Sequence, residues 1–340
     1  MELTRRSVIL AGASAATLTA CTIPAAAPAD ATGIDYFSDE MSSIIDVSAE
    51  IEELGHGYTW SEGPTWDRAR GVLYFTDVPQ NTAYRWREDT GVEVFLSPSG
   101  VAGLEGFREP GANGLWFAAD GALVICNHGR RGVERMNLET QTRDLLVDRY
   151  NDRLFNSPND VVEGRDGSLF FTDPPYGLEG LDASPLKQQD ANGVYHLSPD
   201  GALTRLVDDM TFPNGIALSP DERTLYVSQS DPDRPIIRAF NLSAEAKIES
   251  DRILFDAKPL MSDSAKGLPD GMAICSRGNL FATGPGGVLI LAPDGRLLGQ
   301  IRTGRATANC AFGEDGRTLF MTAHDRLLKV RTRSLGVQWS

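Results

Sequence analysis

Cysteine and histidine are scarce in this 340-residue chain, four of each. The cysteines include no CxxC pair. Beyond Cys21, Cys126, Cys275 and Cys310 lie singly in apolar β-like runs, which excludes a full disulfide framework and favours small buried residues over zinc ligands. His56, His128, His196 and His324 do not cluster, and no Ser/His/Asp arrangement appears. Positive charge is also short. Thirty-two Lys and Arg face 47 Asp and Glu, a net charge of −15, which argues against a nucleic-acid partner bound through a basic face. No helical periodicity in the core region exceeds two turns. The Gly-rich GPGG at Gly284 has no following helix or lysine, so it is a turn and not a phosphate cradle.

The one notable apolar run at the start, Val8 to Ala20, is too short to span a bilayer as an ordinary helix. It follows Arg5 and Arg6 in TRRSVIL and ends in LTAC, Leu18 to Cys21. This segment resembles a twin-arginine export signal with a bacterial lipobox, in which Cys21 is lipidated and becomes the first residue. Residues 1–29 are therefore set apart as signal and tether start, and 30–45 are read as a linker. The protein is expected to be exported, periplasmic and anchored to the membrane through Cys21, with no obligate protein partner.

What the chain has in plenty is turn residues, 34 glycines and 19 prolines, as in an all-β protein. A cassette recurs from Ser61 onward: SEGPTWDRARGVLYFTD, GANGLWFAADGALVICN, PNDVVEGRDGSLFFTD, FPNGIALSPDERTLYVSQ, LPDGMAICSRGNLFATG and ANCAFGEDGRTLFMTA. Each reads as an inward strand, a tight turn and a return strand suited to a half-buried sheet. Aligning Leu73, Leu123, Leu169, Leu225, Leu280 and Leu319 puts one polar residue 10 or 11 positions before each: Glu62, Asn113, Asn159, Asn214, Asp270 and Asn309. The gaps between these are 51, 46, 55, 56 and 39 residues, near the ~40–50 residues of a four-stranded propeller blade. The expectation is one domain, 46–340, a six-bladed β-propeller with four-stranded antiparallel blades. The run IIDVSAEIEEL would supply a strand closing the ring against the last blade, with a short helix near 35–43 as an alternative for the segment before it. Two loops break the spacing: 176–191, a candidate lid, and 230–235.

In a closed ring the six oxygen-bearing side chains meet near one end of a central metal channel. Oxygen donors without His or Cys favour calcium or magnesium. The competing reading is that Asn and Asp merely cap turns at strand starts, a reading that suits Asn113 and Asn309 better than Glu62. Asp160 follows Asn159 directly, so strand alternation turns it behind the ligands. Asp77 and Asp173, at return-strand ends, are expected to bond backbone amides.

SEGPTW, SPNDVV, FTDPPYG, FPNGIALS and LPDGM fall in the order, and resemble the motifs, of the senescence marker protein/gluconolactonase/regucalcin family. FTDPPYGL and CNHGRRGVER are most similar to its bacterial gluconolactonase branch. The resemblance covers about residues 55–330. It implies a six-bladed propeller with one divalent cation, usually calcium, with Zn2+, Mn2+ or Mg2+ as alternatives. By matching motifs it implies metal ligands at Glu62, Asn159, Asn214 and Asp270, with Asp270 also the catalytic base or nucleophile. His128 matches the histidine of a CxHG-type motif and would assist catalysis or bind substrate beside Asn113 and Asn309. The implied activity is opening of sugar lactones. A cation polarises the carbonyl, and either Asp270 or a metal-activated water acts as base or nucleophile. An esterase or phosphotriesterase on the same frame, or a calcium-stabilised binding propeller, remain rivals. For the anchor, the expected outcome is that Cys21→Ser moves the protein wholly to the soluble fraction; fractionation identical to wild type removes the lipobox.

Overall fold

The computed structural model describes residues 31–340; Arg5, Arg6 and Cys21 lie outside them. Six antiparallel four-strand sheets surround one axis, and the chain runs from the innermost strand of each blade outward. The innermost strands are Ser61–Asp67, Ala112–Phe117, Val161–Glu163, Pro213–Leu218, Met272–Ile274 and Asn309–Gly313. Each packs on the innermost strand of the next blade, and the sixth packs on the first. The expected six-bladed propeller is therefore the observed fold.

Closure is made by a strand from the start of the domain. Here β1 is Thr32–Tyr36 and β2 is Ile51–His56. β2 pairs antiparallel with Arg326–Arg331 and completes the sixth blade, as expected. The stretch 30–45 is not a bare linker. β1 adds a fifth strand to the edge of blade five at Leu297–Thr303, where Arg302 Nε donates to Asp35 (2.7 Å). A 3-10 turn, Asp39–Ser43, follows, and Met41, Ile44 and Ile45 are buried against blades five and six. An unpaired outer edge is thereby covered.

The return strands are buried on both faces, not one. In Val72–Asp77 every residue is buried. Leu73 and Phe75 pack with Phe320 and Leu327 of blade six, whereas Val72 and Tyr74 pack with Leu115 and Ile125 of blade two. Alternation therefore serves two neighbouring blades, and each large side chain contributes about 1.5–3 kcal/mol of apolar burial. Outer strands such as Ile248–Asp256 are mostly exposed.

Two devices set the height of the innermost strands. The residue before the end of the return strand carries a hydroxyl in five blades: Thr76, Thr172, Ser228, Thr283 and Thr322, with Cys126 in blade two. Several of these reach the next blade. Thr76 Oγ1 donates to Asn113 O (3.0 Å), Thr172 Oγ1 to Asn214 O (2.6 Å) and Ser228 Oγ to Asp270 O (2.7 Å). Where blade two has cysteine, Gly114 N donates to Asn159 O (2.7 Å). The second device is close approach after the ring residue. A Cβ on Gly63 would sit 2.1 Å from Asn113 O, and one on Gly215 would sit 2.2 Å from Asp270 O. Register slips at Glu62/Thr65, Ala112/Leu115 and Pro213/Ile216 are bulges that re-aim the side chain toward the axis.

Candidate active site

A cavity of about 720 Å3 opens at one end of the axis, lined by Glu62, Asn113, Asn159, Asn214 and Asp270. Five of the six aligned ring residues thus share one space. Asn309 does not. Its Oδ1 accepts from Cys310 N (2.8 Å), and its amide fills the room left by Gly271. It lies beside Asp160 in a smaller cavity of about 60 Å3 deeper in the channel. The expected substrate contact from Asn309 is corrected accordingly.

Glu62 is held by two donors. Gly63 N–H donates to Oε2 (3.0 Å) and Trp60 Nε1–H to Oε1 (3.4 Å). Asn214 Nδ2 donates to Ser230 Oγ (2.9 Å), whose proton goes to Pro269 O (2.6 Å). This fixes Asn214 and the loop that carries Asp270. Asp270 Oδ1 is buried with no hydrogen-bond partner among the described residues. Asp160 is turned away from the larger cavity: Oδ1 accepts from Val161 N (3.0 Å) and Oδ2 from Ile216 N (3.3 Å). Asp77 accepts from Thr59 N and Trp60 N, and Asp173 from Asn156 N and Ser157 N. These two acids pin the connections that arrive from the preceding blades.

His128 is fully buried and stands behind Asn113, outside the cavity lining. A carbonyl can only accept, so its Nδ1–H donates to Glu109 O (3.1 Å). Burial lowers its pKa to about 4, so Nε2 is free to accept from Asn113 Nδ2 (3.3 Å). The ring therefore orients Asn113 with its Oδ1 available to the cavity, and direct proton transfer by His128 is not supported by its placement.

The acids shape the electrostatics. Burial raises Glu62 to about 8, with Asp160 and Glu109 adding repulsion. Burial and the charges of Glu62 and Asp160 push Asp270 well above the carboxylate range. Asp160 rises to about 6 through burial, against the amides that bond it. Among the described residues no ion pair to Lys or Arg offsets Glu62 or Asp270, and burial therefore favours their protonated forms when no cation is bound. Among the described residues, no three His, Cys, Asp or Glu side chains form a metal cluster by themselves. The set at hand is two acids and two amides around one cavity, with one carboxylate oxygen unpartnered. That donor chemistry fits a hard, oxygen-seeking divalent cation.

Several lining residues escaped the aligned register. Trp60, Arg108, Glu109, Tyr176, Ser230 and Lys266 all reach the cavity from connections outside the repeat. The loop 176–191 contributes Tyr176 alone to that lining. Its remainder packs on the wall, through a bridge between Phe107 and Leu178 and through Arg131 Nη1, which donates to Leu186 O (2.8 Å). The expected lid is a wall.

Residues 60–325 match the family described as SMP-30/Gluconolactonase/LRE-like region. A gluconolactonase of Zymomonas mobilis is 43% identical over 309 residues, covering 89% of this chain and 87% of the relative. The solved structure of a Xanthomonas campestris gluconolactonase aligns with TM-score 0.77 and 33% identity over 92% of this chain and 99% of that one. A calcium-binding regucalcin from Agrobacterium tumefaciens, 20% identical, aligns with TM-score 0.65 over 83% of this chain and 94% of that one; this likeness shows the fold.

A pH test follows from the raised acids. Glu62 keeps its proton in the folded state from its ordinary 4.5 up to about 8, whereas the unfolded chain has already released it. Folding stability of the cation-free protein therefore falls as pH rises through that window. In EDTA the thermal midpoint is expected to drop between about pH 5 and pH 8, and excess Ca2+ to flatten the slope. A midpoint that climbs over this range without cation contradicts the assignment.

Proposed function

The chain belongs to the SMP-30/Gluconolactonase/LRE-like family, and on that premise we propose that it is a carboxylic-ester hydrolase opening sugar lactones such as gluconolactone. The observation that carries this is the Asp270 carboxyl, which lines a substrate-sized cavity beside Glu62 with Oδ1 unpartnered. Glu62, Asn159, Asn214 and Asp270 would hold a divalent cation, calcium by the choice of donors. When bound, it would supply Lewis-acid polarisation of the acyl carbonyl.

The chain's own groups do the rest. With a cation neutralising the site, Asp270 would be ionised and would accept a proton from the attacking water. The water oxygen bonds to the acyl carbon, the acyl–oxygen bond of the ring breaks, and the departing oxygen takes that proton from Asp270 to become a hydroxyl. The product is the open hydroxy acid. Glu62 is kept in place by Gly63 N–H and Trp60 Nε1–H, so it does not compete as a mobile base. Asn113, oriented by His128, offers an acceptor to a sugar hydroxyl, and Arg108 and Lys266 at the wall offer donors to the remaining hydroxyls. Export by the Arg5/Arg6 signal and anchoring through Cys21 complete the proposal. On this reading the activity would lie at the periplasmic face of a membrane.

The direct assay is a pH-stat measurement of acid release from gluconolactone, with and without EDTA. Activity is expected to vanish with chelation and return with Ca2+. Asp270→Asn is expected to lower kcat by about 10²–10⁴-fold. Wild-type protein that releases no acid from a panel of lactones and simple esters, yet binds calcium, would make it a binding propeller instead.

A further inference from the structure

One buried hydroxyl at the cavity is left without a hydrogen-bond partner among the described residues. Tyr176 lines the cavity, and its ring stacks on Phe212 (centroids 5.7 Å apart, planes at 19°). The hydroxyl is buried and lies beside Ser230 and Asn214, yet it has no hydrogen-bond partner of good geometry among the described residues. Ser230 gives its proton to Pro269 O and takes one from Asn214, so both side chains are held in place without the phenol. Phenylalanine would make the same stack without a stranded donor.

The surroundings hold the phenol rigidly. It follows Pro174 and Pro175, which restrict the backbone. Ser157 Oγ donates to Pro174 O (2.6 Å) and accepts from Gly177 N (2.9 Å), clamping both sides of the residue. Gly177 is wedged so that a Cβ would meet the Cβ atoms of His128 and Ser157, each at 2.8 Å. The Gly177 carbonyl in turn accepts from Arg108 N (2.9 Å). A donor fixed on a clamped turn beside Asp270 is arranged for a group that arrives from the cavity.

We propose that the Tyr176 hydroxyl donates a hydrogen bond to the carbonyl oxygen of the bound lactone, making it a catalytic residue of the reaction. This rests on the lactonase reading above. The bond strengthens as negative charge builds on that oxygen, so its effect falls on turnover more than on binding.

Tyr176→Phe keeps the stack and removes only the donor, so its thermal midpoint and its stabilisation by Ca2+ should match wild type. Turnover of gluconolactone is expected to fall about 10²–10³-fold in kcat, with KM changed by less than about threefold. A second readout uses gluconolactam, which keeps the ring and carbonyl but has no scissile ester. The variant should bind it about tenfold more weakly than wild type. A wild type that hydrolyses no lactone, paired with a variant that loses lactam affinity, leaves the donor in place and removes the lactonase reading. Unchanged kcat in the variant, whether or not KM rises, or equal lactam affinity, overturns the proposal. A wild type that neither turns over lactone nor binds the lactam overturns both.

Discussion

Six strand starts held at one height around an axis are the constraint on which the rest depends. Blade packing alone supplies the circle but not the height. The height comes in part from hydroxyls near the ends of the return strands, three of which reach the carbonyl of a ring residue in the next blade: Thr76 to Asn113, Thr172 to Asn214 and Ser228 to Asp270. Glycine after the ring residue lets that neighbour come close, and the bulges beside Glu62 and Asn214 turn the side chains inward. A backbone device repeated for closure thereby collects oxygen atoms at a single place. Functional residues far apart in sequence become neighbours as a consequence of architecture.

That collection costs electrostatic energy. Glu62 and Asp270 are buried acids: burial raises both, Asp160 adds repulsion to each, and the Glu62 charge raises Asp270 further. Two protons or one divalent cation can neutralise them, and the amides of Asn159 and Asn214 can complete only the second arrangement. The same features that make the cation-free site unfavourable at neutral pH prepare it for a carbonyl oxygen that gains charge. Stability and reactivity are therefore set by one group of side chains, while His128, Ser157 and Ser230 hold the groups around them.

Much of this was legible in the sequence, and the misses have physical causes. The spacing of Leu73 to Leu319 identified the blades, because a return strand buried between two neighbours must carry the same apolar pattern each time. The ring followed from the same register. Register tells which residues share a level, however, and not which way each leans. Asn309 is bonded to its own neighbour, Cys310 N, and turns down the channel. His128 lies one residue past its strand and points behind Asn113. Arg108, Glu109 and Lys266 sit on connections of unequal length that share no period. Strand β1 was hidden because an edge strand of five residues, TGIDY, has little alternation to read.

The central claim is that Glu62, Asn159, Asn214 and Asp270 meet around one ion. The direct measurement is the anomalous scattering of crystals grown from EDTA-stripped protein supplied with Mn2+ in place of Ca2+, recorded at the manganese edge. The account predicts one strong peak in the channel, within about 2.0–2.6 Å of oxygens from all four side chains. A channel without a peak, or a peak held by other residues, would contradict it.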